Sequence, residues 1–240
     1  MRRSGIHRGL PINAMTDKRC VILFVRLPEK GRVKSRLAQR MDEDLVLRLY
    51  ENMVLDTIDL LTKGRFPFRI CFTPPDAHDR IREWLGEGDR AFPQAGDDLG
   101  DRMENAFEHV FSEGVETALL IGSDIPGLTA EVMEEAFTAL LKDEAVIGPA
   151  SDGGYYLIGF KKGSFEPVIF HDMVWSTRTV FRETMDKLHN ESLKVHVLPQ
   201  LTDVDTVEDL KTLMSQVKRP APETSRTRSF LELHCKGLLK

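Results

Sequence analysis

An aspartate stands just past an apolar run in "LLIGSDIPGL", Leu119 to Leu128. Gly122 and Ser123 precede Asp124 and Pro126 follows it, so the chain opens at the end of a buried strand and turns. Nothing at such a position pairs a carboxylate by default, and the carboxyl edge of an open α/β sheet is where ligands bind. A strand-end aspartate can hold Mg2+ near a pyrophosphate. Hard oxygen donors suit that ion, and one or two carboxylates suffice when water and substrate oxygens complete the octahedron. Asp before Pro is equally a common turn or cap. From the residues alone both uses stand.

Three further stretches carry comparable chemistry. "RLPEKGRVKSRLAQR" (Arg26 to Arg40) concentrates Arg26, Lys30, Arg32, Lys34, Arg36 and Arg40 against one acid, Glu29. Gly31 lets backbone approach a phosphate, Lys34 supplies a point charge and Arg36 a two-pronged donor. The same loop would serve as a solvated basic segment, since it matches neither a Walker A nor a G-x-G-x-x-G pattern. "GPASDGGYYLIGF" sets Asp152 before Gly153 and Gly154, either a ligand-facing loop or a plain hairpin turn. "LTDVDTVEDL" offers Asp203 and Asp205 after an apolar strand. Its D-V-D-T-V string resembles the nucleophile motif of haloacid-dehalogenase-type phosphatases, but that motif opens its fold and here only about thirty-five residues follow. Capping of the helix "VEDLKTLM" is the simpler use, and it leaves one aspartate open to a second role. The histidines make no metal-like cluster, His171 beside Asp172 included, and no serine lies in a nucleophile elbow.

The elements that must position these residues alternate between β-rich and helical periods, which predicts a three-layer α/β/α fold with a mostly parallel central sheet. Strands are expected at Cys20 to Arg26, Phe68 to Thr73, near Ala91 to Gln94, at Thr117 to Ser123, Ala145 to Ala150, Tyr155 to Phe160 and Leu193 to Leu198. Helices are expected after Asp42, around Ile81 and Trp84, and over Leu99 to Val110. Others are expected from a Thr129 cap through Leu141, from a Ser176 or Thr177 cap onward, and over Val207 to Val217. Residues 1–17 read as a disordered arm or a mis-called start, 18–217 as one domain, and 218–240 as a polar, Pro-rich tail with at most a short helix at Phe230 to Leu239.

Bulk composition narrows the classes. The chain of 240 residues is 41% hydrophobic and 30% charged, with a net charge of -5, which disfavours a general nucleic-acid binder. Cys20, Cys71 and Cys235 form no C-x-x-C pair and read as reduced thiols of a cytoplasmic protein. No run approaches a membrane span.

Taken in order, "P-x-x-G-x-x-K-S-R-L", "Q-x-G-x-x-L-G-x-R-M", "G-S-D-x-P-x-L", "G-P-A-x-D-G-G-Y-Y-L-I-G", "W-S-T" and "D-V-D-T-x-E-D-L" resemble the bacterial transferases of the nucleotide-diphospho-sugar transferase superfamily. More distantly they are similar to the 2-phospholactate and molybdenum-cofactor guanylyltransferases. The resemblance implies a Rossmann-like GT-A fold over about Val21 to Leu210, a nucleotide in the amino-terminal half and a divalent metal, Mg2+ or Mn2+, near the fourth strand. By carry-over, Gly31, Lys34 and Arg36 would face phosphates, with Lys34, Arg36 and Asp124 as the catalytic set. Gln94, Leu99 and Gly100 would border the base, and Asp152, Gly153 and Gly154 the sugar or acceptor. Asp124 and Asp205 would share the metal, with Asp203 in reserve. Arg26 and Ser35 depart from the expected lysine and threonine while keeping charge and hydroxyl.

The implied activity is metal-dependent glycosyl transfer from a nucleotide-diphospho-sugar to a small-molecule acceptor. Attack at the α-phosphorus of a nucleoside triphosphate would use the same parts, and a silent nucleotide-binding module is the non-enzymatic alternative. Lys34 and Arg36 are expected to face solvent. Asp124 is read as serving metal chemistry and not folding, so Asp124→Asn is expected to fold at least as well as the parent.

Overall fold

The structure, a computed structural model, describes residues 18–86, 90–216 and 225–235. Seven strands form one sheet, β1 (Arg19–Arg26), β2 (Phe68–Thr73), β3 (Ala91–Pro93), β4 (Thr117–Ile121), β5 (Ala145–Pro149), β6 (Tyr155–Lys161) and β7 (Val195–Val197). Their spatial order is β3-β2-β1-β4-β6-β5-β7. β6 alone runs against its neighbours, pairing antiparallel with both β4 and β5, so the sheet is mostly parallel as expected. From β1 the chain moves outward to β2 and then β3, and β4 returns to the other side of β1. The strand order therefore switches between β1 and β4. Their carboxyl ends frame the crevice where such sheets bind ligands.

Alternation along the strands feeds two cores. Val21, Leu23 and Val25 of β1 face a cluster shared with α2 (Glu43–Lys63), α3 (His78–Leu85), α5 (Ala130–Ala139), α7 (Val207–Gln216) and α8 (Arg226–His234). Cys20 and Ile22 face a second cluster built on α4 (Leu99–Ser112) and α6 (Val180–Asn190). Asp42 caps α2 by accepting from the backbone N–H groups of Asp44 and Leu45, and Thr129 caps α5 through Val132 N, as their residue types predict.

Several elements differ from the sequence-based expectation. A four-residue helix, α1 (Ser35–Ala38), interrupts the basic loop. The Ser176 or Thr177 cap is corrected: α6 starts after Thr179, while Thr177 Oγ1 donates to Val174 O at 2.9 Å inside the preceding loop. The polar tail contains a packed helix, because Phe230 and Leu231 of α8 lie in the first core and Asp56 of α2 accepts from Ser225 Oγ and the Arg226 and Thr227 N–H groups. The short helix expected from Phe230 thus starts four residues earlier, at Arg226. The amino-terminal arm, and residues 217–224 and 236–240 of the tail, lie outside the described residues. Among the described residues no helix is long and apolar enough to cross a membrane.

Candidate functional site

At the end of β1 the chain is fixed by a tyrosine that the strand pattern does not announce. Tyr50, buried on α2, accepts from Arg26 N at 2.9 Å and donates to Arg26 O at 3.0 Å, and its hydroxyl also meets Ser123 beside Asp124. One side chain thereby ties together the ends of β1 and β4. The loop beyond is anchored by buried Val33 and Leu37, and Gly31 takes a left-handed turn with φ 71°. Part of the loop's positive charge is already committed, since Lys30 pairs with Asp44 at 2.5 Å and Glu29 holds both Arg80 and Arg32.

Lys34, itself left-handed at φ 49°, turns inward. Its Nζ lies 2.7 Å from Asp124 Oδ2 and 3.8 Å from Asp205 Oδ1, while Arg36 Nη1 lies 3.1 Å from Asp205 Oδ2. The two carboxylates, from separate strand ends, thus meet on one cation. Their approach is built into the backbone: Val204 N donates to Asp124 O at 3.2 Å, and Val204 is fully buried. Asp209 holds the other flank by accepting from Thr206 N and Oγ1 at 2.7 Å each.

The expectation that Lys34 faces solvent is corrected. Its side chain is 7% exposed against 63% for Arg36, with Asp124 at 37%. Burial alone would pull the Lys34 ammonium down, but the Asp124 carboxylate, joined by the charges of Asp205 and Asp203, holds the ammonium above its ordinary value. Asp124 is the mirror case, pushed up by burial and held below the usual carboxylate range by Lys34. Asp203 has no such partner. Burial, then the negative charges of Asp152 and Asp124, push it up to about 6.

Beside the ion pairs opens a cavity of about 260 Å³, walled by Asp124, Asp152, Asp203, Gly122, Gly154, Leu99, Phe24, Tyr155 and Trp175 among others. Asp152 Oδ1 accepts from Gly154 N at 2.8 Å, and Ser151 Oγ lies 3.5 Å from Asp203 Oδ1. The SDGG segment is both a turn between antiparallel strands and part of a cavity wall, so the two readings of its glycines were never exclusive. Trp175, like Tyr50, is a residue that sequence reasoning missed; "W-S-T" was its only signal. The loop carrying it holds Asp172 at φ 51° and Ser176 at φ 64°.

Other expected residues sit elsewhere. Gln94 is buried and its side-chain amide donates to Cys71 O at 3.0 Å at the sheet edge. Gly100 is a packing glycine, because a Cβ there would lie 2.5 Å from Phe170 O and 3.0 Å from Trp175 Cζ2. Gly153, at φ 94°, lies against the Arg178 backbone, where a Cβ would come within 2.3 Å of a carbonyl oxygen. Leu99 does line the cavity.

Among the described residues no three His, Cys, Asp or Glu side chains group as a metal cage. Two hard carboxylates converging on one cation nevertheless fit Mg2+, which keeps waters and substrate oxygens for its remaining positions.

Residues 57–177 match a family described as "Uncharacterized protein conserved in bacteria" (DUF2064). No curated protein matches the chain. Among solved structures, a protein from Desulfovibrio desulfuricans G20, named as a candidate nucleotide-diphospho-sugar transferase, is 36% identical over 93% of this chain and 97% of its own, with a TM-score of 0.89. The 4-diphosphocytidyl-2C-methyl-D-erythritol synthase of Anaerococcus prevotii shares the fold at 14% identity, covering 86% of this chain and 100% of its own with a TM-score of 0.54. A cytidylyltransferase from Leptospira borgpetersenii does so at 14% identity, 92% and 95% coverage and a TM-score of 0.52.

Proposed function

The chain belongs to the bacterial family DUF2064, and from that premise we propose that it is a transferase acting on a nucleotide-diphospho-sugar. The observation that carries the reading is the Lys34 ammonium seated between Asp124 and Asp205 at the point where the strand order reverses. A diphosphate lying there would meet Lys34, Arg36 and the Gly31 turn. Lys34 and Arg36 would exchange their carboxylate partners for phosphate oxygens, and charge-assisted bonds of this kind are among the stronger ones a site can offer.

Asp124 and Asp205 would hold a divalent cation, which when bound supplies charge neutralisation for a diphosphate leaving group. In glycosyl transfer the bond between the anomeric carbon and the diphosphate oxygen breaks, and the acceptor hydroxyl forms the new bond and gives up its proton. Negative charge then collects on the diphosphate, where Lys34 and Arg36 stabilise it most in the transition state. Tyr50 and the Val204 to Asp124 backbone bond keep the charged groups in register, so little reorganisation accompanies the reaction.

The reading is tested by calorimetric titration of nucleoside diphosphates, nucleoside triphosphates and nucleotide sugars with and without Mg2+ or Mn2+, followed by product analysis. Metal-dependent binding with release of a nucleoside diphosphate is expected. Release of pyrophosphate from a triphosphate would instead assign nucleotidyl transfer, and no nucleotide binding under any condition would overturn the transferase reading.

A further inference from the structure

We propose that the cavity beside the ion-paired crevice takes a hydroxyl-rich group bearing no negative charge, and that Asp152 and Trp175 set this preference. The inference rests on the transferase reading and narrows its substrate class. Among the described residues that wall the cavity, three are aspartates (Asp124, Asp152 and Asp203) and none is lysine, arginine or histidine. Lys34 and Arg36 lie outside this wall; Lys34 offsets the charge of Asp124, while Asp152 and Asp203 have no ion-pair partner among the described residues. A phosphate or carboxylate entering here would face like charge in a partly desolvated space, which costs several kcal/mol per close contact.

A polyol meets the opposite reception. An ionised carboxylate only accepts, and each has lone pairs for several donors. Asp152 uses Oδ1 on the Gly154 N–H, and Asp203 meets a backbone group and a long contact from Ser151, so each carboxylate, with its several lone pairs, retains capacity for ligand hydroxyls. Trp175, Tyr155 and Phe24 give the same cavity aromatic walls, against which the C–H face of a sugar ring can lie. The Trp175 indole N–H is buried with no acceptor among the described residues, so the wall presents its ring and not a committed hydrogen bond. At about 30 Å³ per water, 260 Å³ holds roughly nine waters' worth of ligand, enough for one sugar-sized ring. A nucleotide must then lie outside, toward the crevice.

The test uses the full chain and titration calorimetry with Mg2+. Nucleoside diphosphates first identify the base that binds; if none binds, the transferase reading fails and takes this proposal with it. For that base, the nucleotide hexose is then compared with the matching nucleotide uronate, which differs by a single carboxylate. The hexose is expected to bind at least tenfold tighter. In Asp152→Asn, which keeps an oxygen for the Gly154 N–H, that ratio should fall severalfold. In Trp175→Ala the advantage of the nucleotide hexose over the bare diphosphate should shrink. Taking ratios within each variant cancels any general loss of folded protein. Uronate binding as tight as hexose in the parent, or a ratio unmoved in Asp152→Asn, would overturn the proposal while leaving the transferase reading intact.

Discussion

A wide groove on the helix α5 side of the molecule and the candidate site are different places. The groove, about 660 Å³, runs between α5 and the β7 edge and is lined by Glu131, Glu134, Glu135, Lys142, Asp143 and His196. The cavity by the crevice has less than half that volume, yet it gathers residues from β1, the loop after β4, the β5–β6 turn and the Trp175 loop. In the groove a solvent-exposed pair stands in for the crevice's buried one, as His196 meets Glu135 at 3.0 Å. In the crevice a lysine 7% exposed is held between two carboxylates. Surface pairs of the first kind contribute about 0–1 kcal/mol. A buried charge persists only if its partners are kept in place, so the crevice has been organised at an energetic cost that the groove never bears. Volume measures neither.

The largest break in that contrast should come from Asp124→Asn. The sequence suggests that this change leaves folding intact or improves it, whereas the structure reverses the sign, because the buried Lys34 ammonium would lose its closest partner. A lost hydrogen bond to a charged group costs about 1.5–3 kcal/mol. The lower end is expected, since Asp124 is 37% exposed and Asp205 also faces Lys34. Metal-dependent nucleotide binding should disappear in the same variant, because an amide is a poor ligand for a hard dication. Urea melts beside Mg2+-dependent titrations measure both, and an unchanged melt with normal binding would reduce Asp124 to a turn residue.

The fold was legible in the sequence because period and caps act locally. Asp42 and Thr129 cap as their types predict, and the apolar runs at Val21 to Val25 and Leu119 to Ile121 bury as predicted. The site was legible as a set of residues but not as a set of partners. Nothing in "GRVKSR" says that Lys34 turns inward while Arg36 stays out; that depends on Val33 and Leu37 anchoring the loop and on a left-handed residue between them. Gln94 donates to Cys71 O and Gly100 packs against Phe170 and Trp175, contacts across the fold that no spacing encodes. Tyr50 was hidden for the converse reason, an ordinary aromatic at a core position of helix α2 whose hydroxyl reaches the end of β1.

A smaller effect, of opposite sign for two ligands, is expected from Lys34→Met. The ammonium occupies the place where the two carboxylates meet, so it competes with any free dication. Removing it should raise affinity for Mn2+ alone about tenfold while weakening nucleoside diphosphate binding by about the same factor, roughly 1.4 kcal/mol each way. Mn2+ titration followed by electron paramagnetic resonance reads the first change and calorimetry the second. Equal Mn2+ affinity in variant and parent would mean that Asp124 and Asp205 form no cation site. Arg36→Ala should weaken diphosphate binding by about 1.5 kcal/mol or slightly more. Its guanidinium is 63% exposed, so its melting curve should overlay the parent's.

The smallest effect is expected in the groove, and it decides whether the contrast is real. Glu135→Gln keeps the side chain's shape and removes its charge from the contact with His196. Both side chains are at least a third exposed, at 46% and 36%, so water can replace the lost interaction, and stability should move by no more than about 0.5 kcal/mol. Helix α5 is held by Met133, Ala136 and Phe137 on its other face, none of which the substitution touches. Affinity for the nucleotide ligand should stay within twofold of the parent, measured by the same calorimetry as the crevice variants. If Glu135→Gln weakened that binding as much as Arg36→Ala, the groove would belong to the ligand's path. The separation between a costly, buried crevice and an inexpensive surface groove would then fail.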